Sequence, residues 1–172
     1  MKVKAKILIV TIALFFVQFV QSQESAKVVL DKAYNKAKIE NKNLFVMFKA
    51  SWCGWCKKLE ANMNQAATQK IFTDNYIIVQ LDVKEREGKK NLENPGAIDL
   101  LKKYKAEGVG IPFFLIFDAY GKKLTDSFDA KGQNLGCPAS PEEVNVFIKK
   151  LKETSTLLDS ELATIARVFQ KK

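Results

Sequence analysis

The sequence predicts a single α/β domain, in which a β-sheet is flanked by helices. Segments with helical spacing of apolar residues alternate with short runs of β-branched and aromatic residues, which is the pattern of an α/β fold. The chain has 172 residues, of which 47% are hydrophobic, and this is enough for a sizeable core. The composition shows no shift that would mark a second domain.

The first half of this domain is predicted to contain two strands. Residues 25–41 place apolar side chains on one face and lysines on the other, which predicts an amphipathic helix covering the sheet. Residues 44–49 form a nearly continuous apolar run, as expected of a strand buried on both faces. A helix is expected from residue 53 to about 64, and a second short helix over 66–73. Residues 77–83 are rich in β-branched side chains and predict the next buried strand.

The following segment is predicted to end in a β-hairpin. Residues 85–95 are polar and charged and are expected to form a surface loop. A helix is predicted over 97–105 and a strongly apolar strand over 113–118. The turn at 119–121 then leads into the last strand, over 123–128.

Two more helices are predicted after the last strand. Residues 129–140 contain two glycines and a proline and are expected to form a loop. The helix over 141–152 begins with a proline and has acidic residues in its first turn, where they favour a helix start. Residues 157–169 repeat the helical spacing, which predicts an extra C-terminal helix packed on the domain or on another copy.

The first 22 residues are expected to be a cleavable signal peptide. Three lysines precede the apolar stretch 7–17, and small or apolar residues occupy positions 20–22. The alternative is a transmembrane anchor, but the stretch is shorter than the roughly 20 residues that a spanning helix needs. We therefore expect a mature chain of residues 23–172 that is periplasmic or secreted and is not stably inserted in a membrane.

The charge of the chain does not favour a nucleic-acid partner. The formal charge is +9, and removing the signal peptide takes away three lysines and no acid, which leaves +6. The lysines are scattered, without aromatic residues between them or a basic helix, so no nucleic-acid site is expected.

The side chains available limit the chemistry. The chain has no histidine, which excludes Ser-His-Asp and Cys-His mechanisms and histidine-based metal sites. A zinc site would need Cys53, Cys56, Cys137 and a carboxylate, with no second C-x-x-C to complete it, so no metal is expected. Three cysteines are also too few for a disulfide-stapled framework.

The spacing of Cys53 and Cys56 favours dithiol/disulfide exchange. Cys53 is predicted to lie at a helix N-terminus, where free backbone N–H groups and the helix dipole stabilise a thiolate. Because the thiolate is the nucleophile, Cys53 is the expected attacking group. Cys56, one turn further on, is then close enough to resolve a mixed disulfide on Cys53.

Two motifs resemble those of the thioredoxin superfamily. The first is the sequence WCGWCK at residues 52–57, and the second is Gly-Ile-Pro at 110–112. The resemblance covers about residues 25–152 and leaves 155–172 as a C-terminal extension. It implies a thioredoxin fold with a central mixed β-sheet flanked by helices, a cis peptide bond before Pro112, and Ile111 lining the substrate site.

The sequence around the two cysteines resembles one subgroup of this superfamily. Residues 50–60 are most similar to small exported bacterial thioredoxin-like proteins, which are similar to the disulfide-reductase and isomerase domains of the envelope.

Thioredoxin has a buried aspartate and a lysine where this chain has Met47 and Gln80. Losing both charges together is physically consistent, and it leaves Glu60 or water as proton acceptor for Cys56.

The remaining candidates belong to the substrate-facing surface that the resemblance implies. Trp55 is expected to form part of an apolar rim or simply to be exposed, and Trp52 is expected to pack under the helix. Cys137 follows Gly136 in a loop that borders the site in this fold, so it is either a third thiol or a half-buried packing residue. The implied substrate-binding residues are Trp52, Gly54, Trp55, Ile111 and Pro112.

The expected function is that of an exported thiol–disulfide oxidoreductase. It would exchange disulfides with protein substrates and an unidentified redox partner, use no dissociable cofactor, and act as a reductase or isomerase rather than an oxidase. The alternative is a non-catalytic thioredoxin-like binding module with a static Cys53–Cys56 disulfide. An exposed Cys53 would favour the enzyme, and a buried one the module.

Overall fold

The computed structural model describes residues 23–170, and the predicted signal peptide lies outside them. In this part of the chain the sequence forms helices and strands in alternation. Their order is α1 (Ala26–Glu40), β1 (Asn43–Lys49), α2 (Gly54–Met63), α3 (Gln69–Asn75), β2 (Tyr76–Asp82), a 3-10 turn (Lys90–Leu92), α4 (Ala97–Lys103), β3 (Phe113–Phe117), β4 (Lys123–Asp126), α5 (Pro141–Glu153) and α6 (Asp159–Phe169).

The four strands form one mixed sheet, as the resemblance implied. The strand order is β2-β1-β3-β4. β1 pairs in parallel with β2 and antiparallel with β3, and the hairpin partner β4 completes the sheet. The architecture is that of the thioredoxin fold, with β1 and β3 as the two inner strands of the sheet.

The central strand β1 is buried on both faces, as its apolar run predicted. Because side chains alternate along a strand, Phe45 and Met47 join a core with α2, α3, α5 and α6. Leu44, Val46 and Phe48 join the opposite core with α1 and α4. The sheet is therefore covered by helices on both sides.

The C-terminal helix α6 is part of the first of these cores. Leu162, Ile165 and Phe169 are buried against it. The ring of Phe169 lies 5.1 Å from that of Phe147 and 6.4 Å from that of Phe72, centroid to centroid. The predicted packing of this helix on the domain is confirmed.

The predicted boundaries differ from the observed ones by one to three residues at several places, and two of these differences have a clear cause. The short helix α3 begins at Gln69, because the hydroxyl of Thr68 is buried and donates to the carbonyl oxygens that end α2. The strand β4 ends at Asp126, whose carboxylate accepts a hydrogen bond from the backbone N–H of Phe128 and turns the chain. None of the helices within residues 23–170 combines the length and apolar character needed to cross a membrane.

Candidate active site

The two cysteines of the C-x-x-C motif lie at the N-terminus of α2. Cys53 is the N-cap residue, with an extended backbone conformation, and its Sγ accepts a hydrogen bond of 3.1 Å from the N–H of Cys56. The sulfur thus occupies the place that an oxygen of Ser or Asp usually takes at a helix start. This confirms the predicted position of Cys53 in the field of the helix.

Cys53 and Cys56 are joined by a disulfide, with their Cα atoms 5.2 Å apart. Cys53 is 3% exposed and Cys56 is 1% exposed. Both pack with Ala50 and against the partly buried Ile111. An exposed Cys53 was expected of the enzyme and a buried one of the binding module. Because Cys53 is buried in this oxidised state, the structure favours the binding module.

The segment containing Pro112 lies directly beside the disulfide. The Ile111–Pro112 peptide bond is cis, as the resemblance implied. The carbonyl oxygen of Ile111 lies 3.6 Å from Sγ of Cys53. The structure therefore brings together two motifs that are separated by more than 50 residues in the sequence.

Asn134 holds the proline segment in place and was missed by the sequence analysis. Its side-chain amide donates hydrogen bonds of 2.8 Å to the carbonyl oxygen of Gly110 and 3.0 Å to that of Pro112. Its own Oδ1 interacts with the hydroxyl of Ser127. A polar residue inside a loop predicted only as irregular structure carried no signal of this role.

The two tryptophans of the motif are both partly exposed. Trp55 is 55% exposed, and Nζ of Lys58 lies 5.3 Å from its ring centroid. Trp52 is 44% exposed, so the prediction that it packs under the helix is wrong. Its indole N–H donates a 2.8 Å hydrogen bond to the carbonyl of Lys84, which draws the ring toward the loop after β2 instead.

A groove beside the proline segment contains the third cysteine. The groove has a volume of about 220 Å³. Its lining includes Trp55, Ile111, Pro112, Gly136 and Cys137. Cys137 is buried and reduced, and desolvation by burial raises the pKa of its thiol to about 11. Such a thiol is almost wholly protonated at neutral pH, although it borders the same groove as Trp55.

Glu85 supports the loop before Cys53 and was expected only to be part of a surface loop. It is buried, and its two carboxylate oxygens accept hydrogen bonds from the backbone N–H and the hydroxyl of Ser51. The sequence signal was weak, because an acidic residue among several charged ones gives no indication of burial.

A cavity of about 270 Å³ that several charged residues line lies beside Cys56. Its charged lining residues are Lys49, Lys57, Glu60, Asp82 and Glu85, and Cys56 also borders it. Burial raises the pKa of Asp82; Lys49 opposes this shift, whereas the carboxylates of Glu85 and Glu60 add to it.

Gln80 and Met47 occupy the positions at which the resemblance places thioredoxin's charged pair. The side-chain amide of Gln80 donates a 3.0 Å hydrogen bond to the carboxylate of Glu60, which also lies 3.6 Å from Nζ of Lys49. Met47 is buried in the core. Within residues 23–170, no group of three or more cysteine, aspartate and glutamate side chains is arranged to hold a metal ion.

The sequence matches a known protein family and is similar to a curated relative. A family model described as thioredoxin-like matches residues 25–119, which is more than half of the chain. A protein disulfide-isomerase of Hordeum vulgare is 27% identical over 135 residues, or 78% of this chain. The alignment spans only 22% of that relative's own length.

A solved structure has the same fold. A disulphide isomerase from Xylella fastidiosa Temecula1 superposes with a TM-score of 0.51 and 19% identity, covering 83% of this chain and 90% of its own. A structure described as DsbH oxidoreductase has a TM-score of 0.46 and 21% identity, covering 81% of this chain and 92% of its own. At 19% identity, the likeness to the disulphide isomerase concerns the fold alone.

Proposed function

This chain belongs to the thioredoxin-like family, and from that membership we propose that it is an exported thiol–disulfide oxidoreductase acting on protein substrates. The observation that carries the proposal is the Cys53–Cys56 disulfide at the N-terminus of α2. Thiol–disulfide exchange requires a sulfur whose thiolate is stabilised and a second thiol one turn away, and these positions meet both requirements.

The proposed reaction begins on the reduced protein. Cys53, as a thiolate held by the N–H of Cys56 and the helix dipole, attacks a disulfide of the client protein and forms a mixed disulfide. Cys56 then attacks Cys53, restores the Cys53–Cys56 disulfide and releases the client thiol. No dissociable cofactor takes part, and a second protein must reduce the pair again.

The proposed client-binding surface surrounds Cys53. An extended client segment would lie along the proline segment, with the backbone of Ile111 and the ring of Pro112 beside the reacting sulfur. Trp55 and Trp52 are exposed on the neighbouring surface and offer apolar area to an unfolded client. Gly54 lies between the tryptophans in the motif and has open space around its Cα, so a client chain can approach it closely.

We propose a role as reductase or isomerase rather than oxidase, on the basis of the similarity of residues 50–60 to envelope reductase and isomerase domains. A redox titration of the Cys53–Cys56 pair tests this choice. A potential near thioredoxin's value of about −270 mV supports reduction, a value near about −180 mV supports isomerisation, and one near about −120 mV would contradict both.

The non-catalytic binding module is the second candidate, and the burial of Cys53 favours it. In that case the disulfide would be static and the tryptophan surface would hold a partner. Insulin reduction with dithiothreitol as electron source separates the two functions. The oxidoreductase accelerates the reduction and loses this activity on Cys53→Ser, whereas the module does neither.

The export of the chain is a further part of the proposal. Residues 1–22 carry the features of a signal peptide, and a disulfide persists more readily outside the cytoplasm. Expression of the full chain with N-terminal sequencing of the periplasmic or secreted product tests it. A product beginning near Gln23 supports export by cleavage, and a full-length product retained in the cytoplasm would contradict it.

A further inference from the structure

The resolving cysteine, Cys56, poses a chemical problem, because this chain has Met47 and Gln80 where the resemblance places thioredoxin's charged pair. Cys56 is 1% exposed, so its thiol has almost no direct access to bulk solvent. It must nevertheless lose a proton before its sulfur can attack the mixed disulfide on Cys53. The cavity beside Cys56 is lined by ionisable groups that could receive this proton.

Two of the three carboxylates in this cavity are committed to structural contacts. Glu85 is held by the backbone N–H and the hydroxyl of Ser51. Glu60 accepts the amide of Gln80 and lies 3.6 Å from the ammonium group of Lys49. Neither carboxylate can move toward Cys56 without giving up these interactions. The third carboxylate belongs to Asp82, the last residue of β2.

Given the proposed exchange activity, we propose that Asp82 accepts the proton of Cys56 across this cavity during resolution of the mixed disulfide. The cavity, at about 270 Å³, has room for several water molecules of about 30 Å³ each, which can carry the proton between the two groups. Asp82, at the end of β2, thus serves as the proton acceptor. The thioether side chain of Met47 on β1 has no group that can accept a proton.

The electrostatics of the cavity suit this role. Burial raises the pKa of Asp82, and the carboxylates of Glu85 and Glu60 raise it further, while Lys49 at the end of β1 opposes them. Lys57 from α2 also lines the cavity. A carboxylate with a raised pKa is a stronger base, and its pKa is closer to that of the thiol it must deprotonate.

The step is balanced without any further reactant. The proton of Cys56 passes to the carboxylate of Asp82, and the resulting thiolate attacks Sγ of Cys53. The bond between Cys53 and the client sulfur breaks, and its electron pair leaves with the client sulfur. The dithiol is oxidised to the Cys53–Cys56 disulfide, and the client disulfide is reduced. The proton on Asp82 then returns to the client thiolate or to solvent.

Rapid mixing of the reduced protein with dithiobis-nitrobenzoate isolates this step. Attack by Cys53 releases the first thionitrobenzoate at a rate that depends on reagent concentration, and attack by Cys56 releases the second at a rate that does not. The Cys56→Ser variant identifies the second phase, because it should show only the first. In Asp82→Asn we expect the second phase to slow on the order of 10²-fold near neutral pH, while the first phase is preserved.

The direction in which the rate of the second phase changes distinguishes proton transfer to Asp82 from a purely electrostatic effect of its charge. Removing a negative charge near Cys56 would by itself lower the thiol pKa and speed the second phase. Glu60→Gln is the matched control, since it removes a charge from the same cavity and leaves Asp82 in place. Glu60 contributes least among the groups that raise the pKa of Asp82, so the second phase of this variant should slow far less than that of Asp82→Asn. Asp82→Glu should retain most of the rate. Circular dichroism of each variant reports that the protein is folded.

The outcomes distinguish the two proposals. A second phase in Asp82→Asn as fast as in the wild type, or slowed equally in Glu60→Gln, would overturn the assignment of Asp82 alone. A reduced wild-type protein that shows neither phase would overturn the exchange activity and, with it, the role of Asp82.

Discussion

Glu85 receives both hydrogen-bond donors of Ser51, the backbone N–H and the hydroxyl. The two residues lie on different loops, one before Cys53 and the other after β2. Glu85 is also tied to its own loop, since its backbone N–H donates a 2.7 Å hydrogen bond to the carboxylate of Glu93. The loop that precedes Cys53 is thus held by a buried carboxylate in addition to the apolar packing of Ala50.

Removing this carboxylate should destabilise the protein. Hydrogen bonds to a charged group contribute about 1.5–3 kcal/mol each, so we expect Glu85→Ala to lower the free energy of unfolding by at least that amount. Ser51→Ala removes only the hydroxyl contact and should cost less. Urea unfolding measures both. Glu87→Ala, at an exposed position of the same loop, is the control and should change stability by less than about 0.5 kcal/mol.

The two cysteines of the motif should have different roles in exchange. We expect Cys53→Ser to abolish insulin reduction, because it removes the sulfur at the helix N-terminus. Cys56→Ser should instead accumulate a mixed disulfide with the client, which non-reducing electrophoresis and mass spectrometry detect. Substantial activity in Cys53→Ser would contradict the proposed mechanism.

Cys137 should be a slow thiol. With burial raising its pKa to about 11, only a minute fraction is thiolate near pH 8, so iodoacetamide should label Cys53 of the reduced protein long before Cys137. Labelling in denaturant, where Cys137 should react readily, is the control. If mild oxidation of Cys56→Ser instead gave a Cys53–Cys137 bridge in peptide maps, Cys137 would act as a third thiol.

Asp82 should make stability depend on pH in a definite direction. Because its folded pKa is raised above the unfolded value, the folded state holds the proton more tightly. The stabilisation this provides is present below the unfolded pKa and is lost as pH rises through the folded pKa. Asp82→Asn should therefore melt at a higher temperature than the wild type near pH 7, with the difference shrinking below about pH 4. A difference that did not change with pH would contradict this.

The C-terminal helix should be essential to the core. Phe169 is fully buried between Phe72 and Phe147, so Phe169→Ala should lower the free energy of unfolding by about 3–5 kcal/mol. Ile39→Ala removes an apolar side chain that is exposed on α1 and provides the control. Equal effects of the two substitutions would show that α6 is only peripheral.

Local patterns in the sequence predicted most of the fold. The apolar run at β1, the proline and acids at the start of α5, and the position of Cys53 before α2 depend on neighbouring residues, and each was found as expected. The disulfide and the cis bond before Pro112 followed from motifs. Each of these features depends on residues that are close together in the sequence or on a recognisable motif, and this is why the sequence alone could predict it.

The missed features depend on contacts between distant loops. Ser51 meets Glu85 across 34 residues, Asn134 reaches Gly110 across 24, and the Trp52 indole bonds to Lys84 across 32. A polar side chain at such a position looks the same in the sequence whether it is buried or solvated. The side on which Trp52 lies was therefore predicted wrongly, and Asn134 was not singled out.

The N-cap position of Cys53 couples the oxidation state of the site to the stability of the whole fold through a thermodynamic cycle. A thiolate is a stronger acceptor for the Cys56 N–H than a disulfide sulfur, and it also interacts with the helix dipole, so reduction strengthens the start of α2. Because the cycle must close, stabilisation of the folded reduced form makes the disulfide easier to reduce than in the unfolded chain by the same free energy. A substitution that frays the first turn of α2 would consequently lower the reduction potential without touching either sulfur or the client.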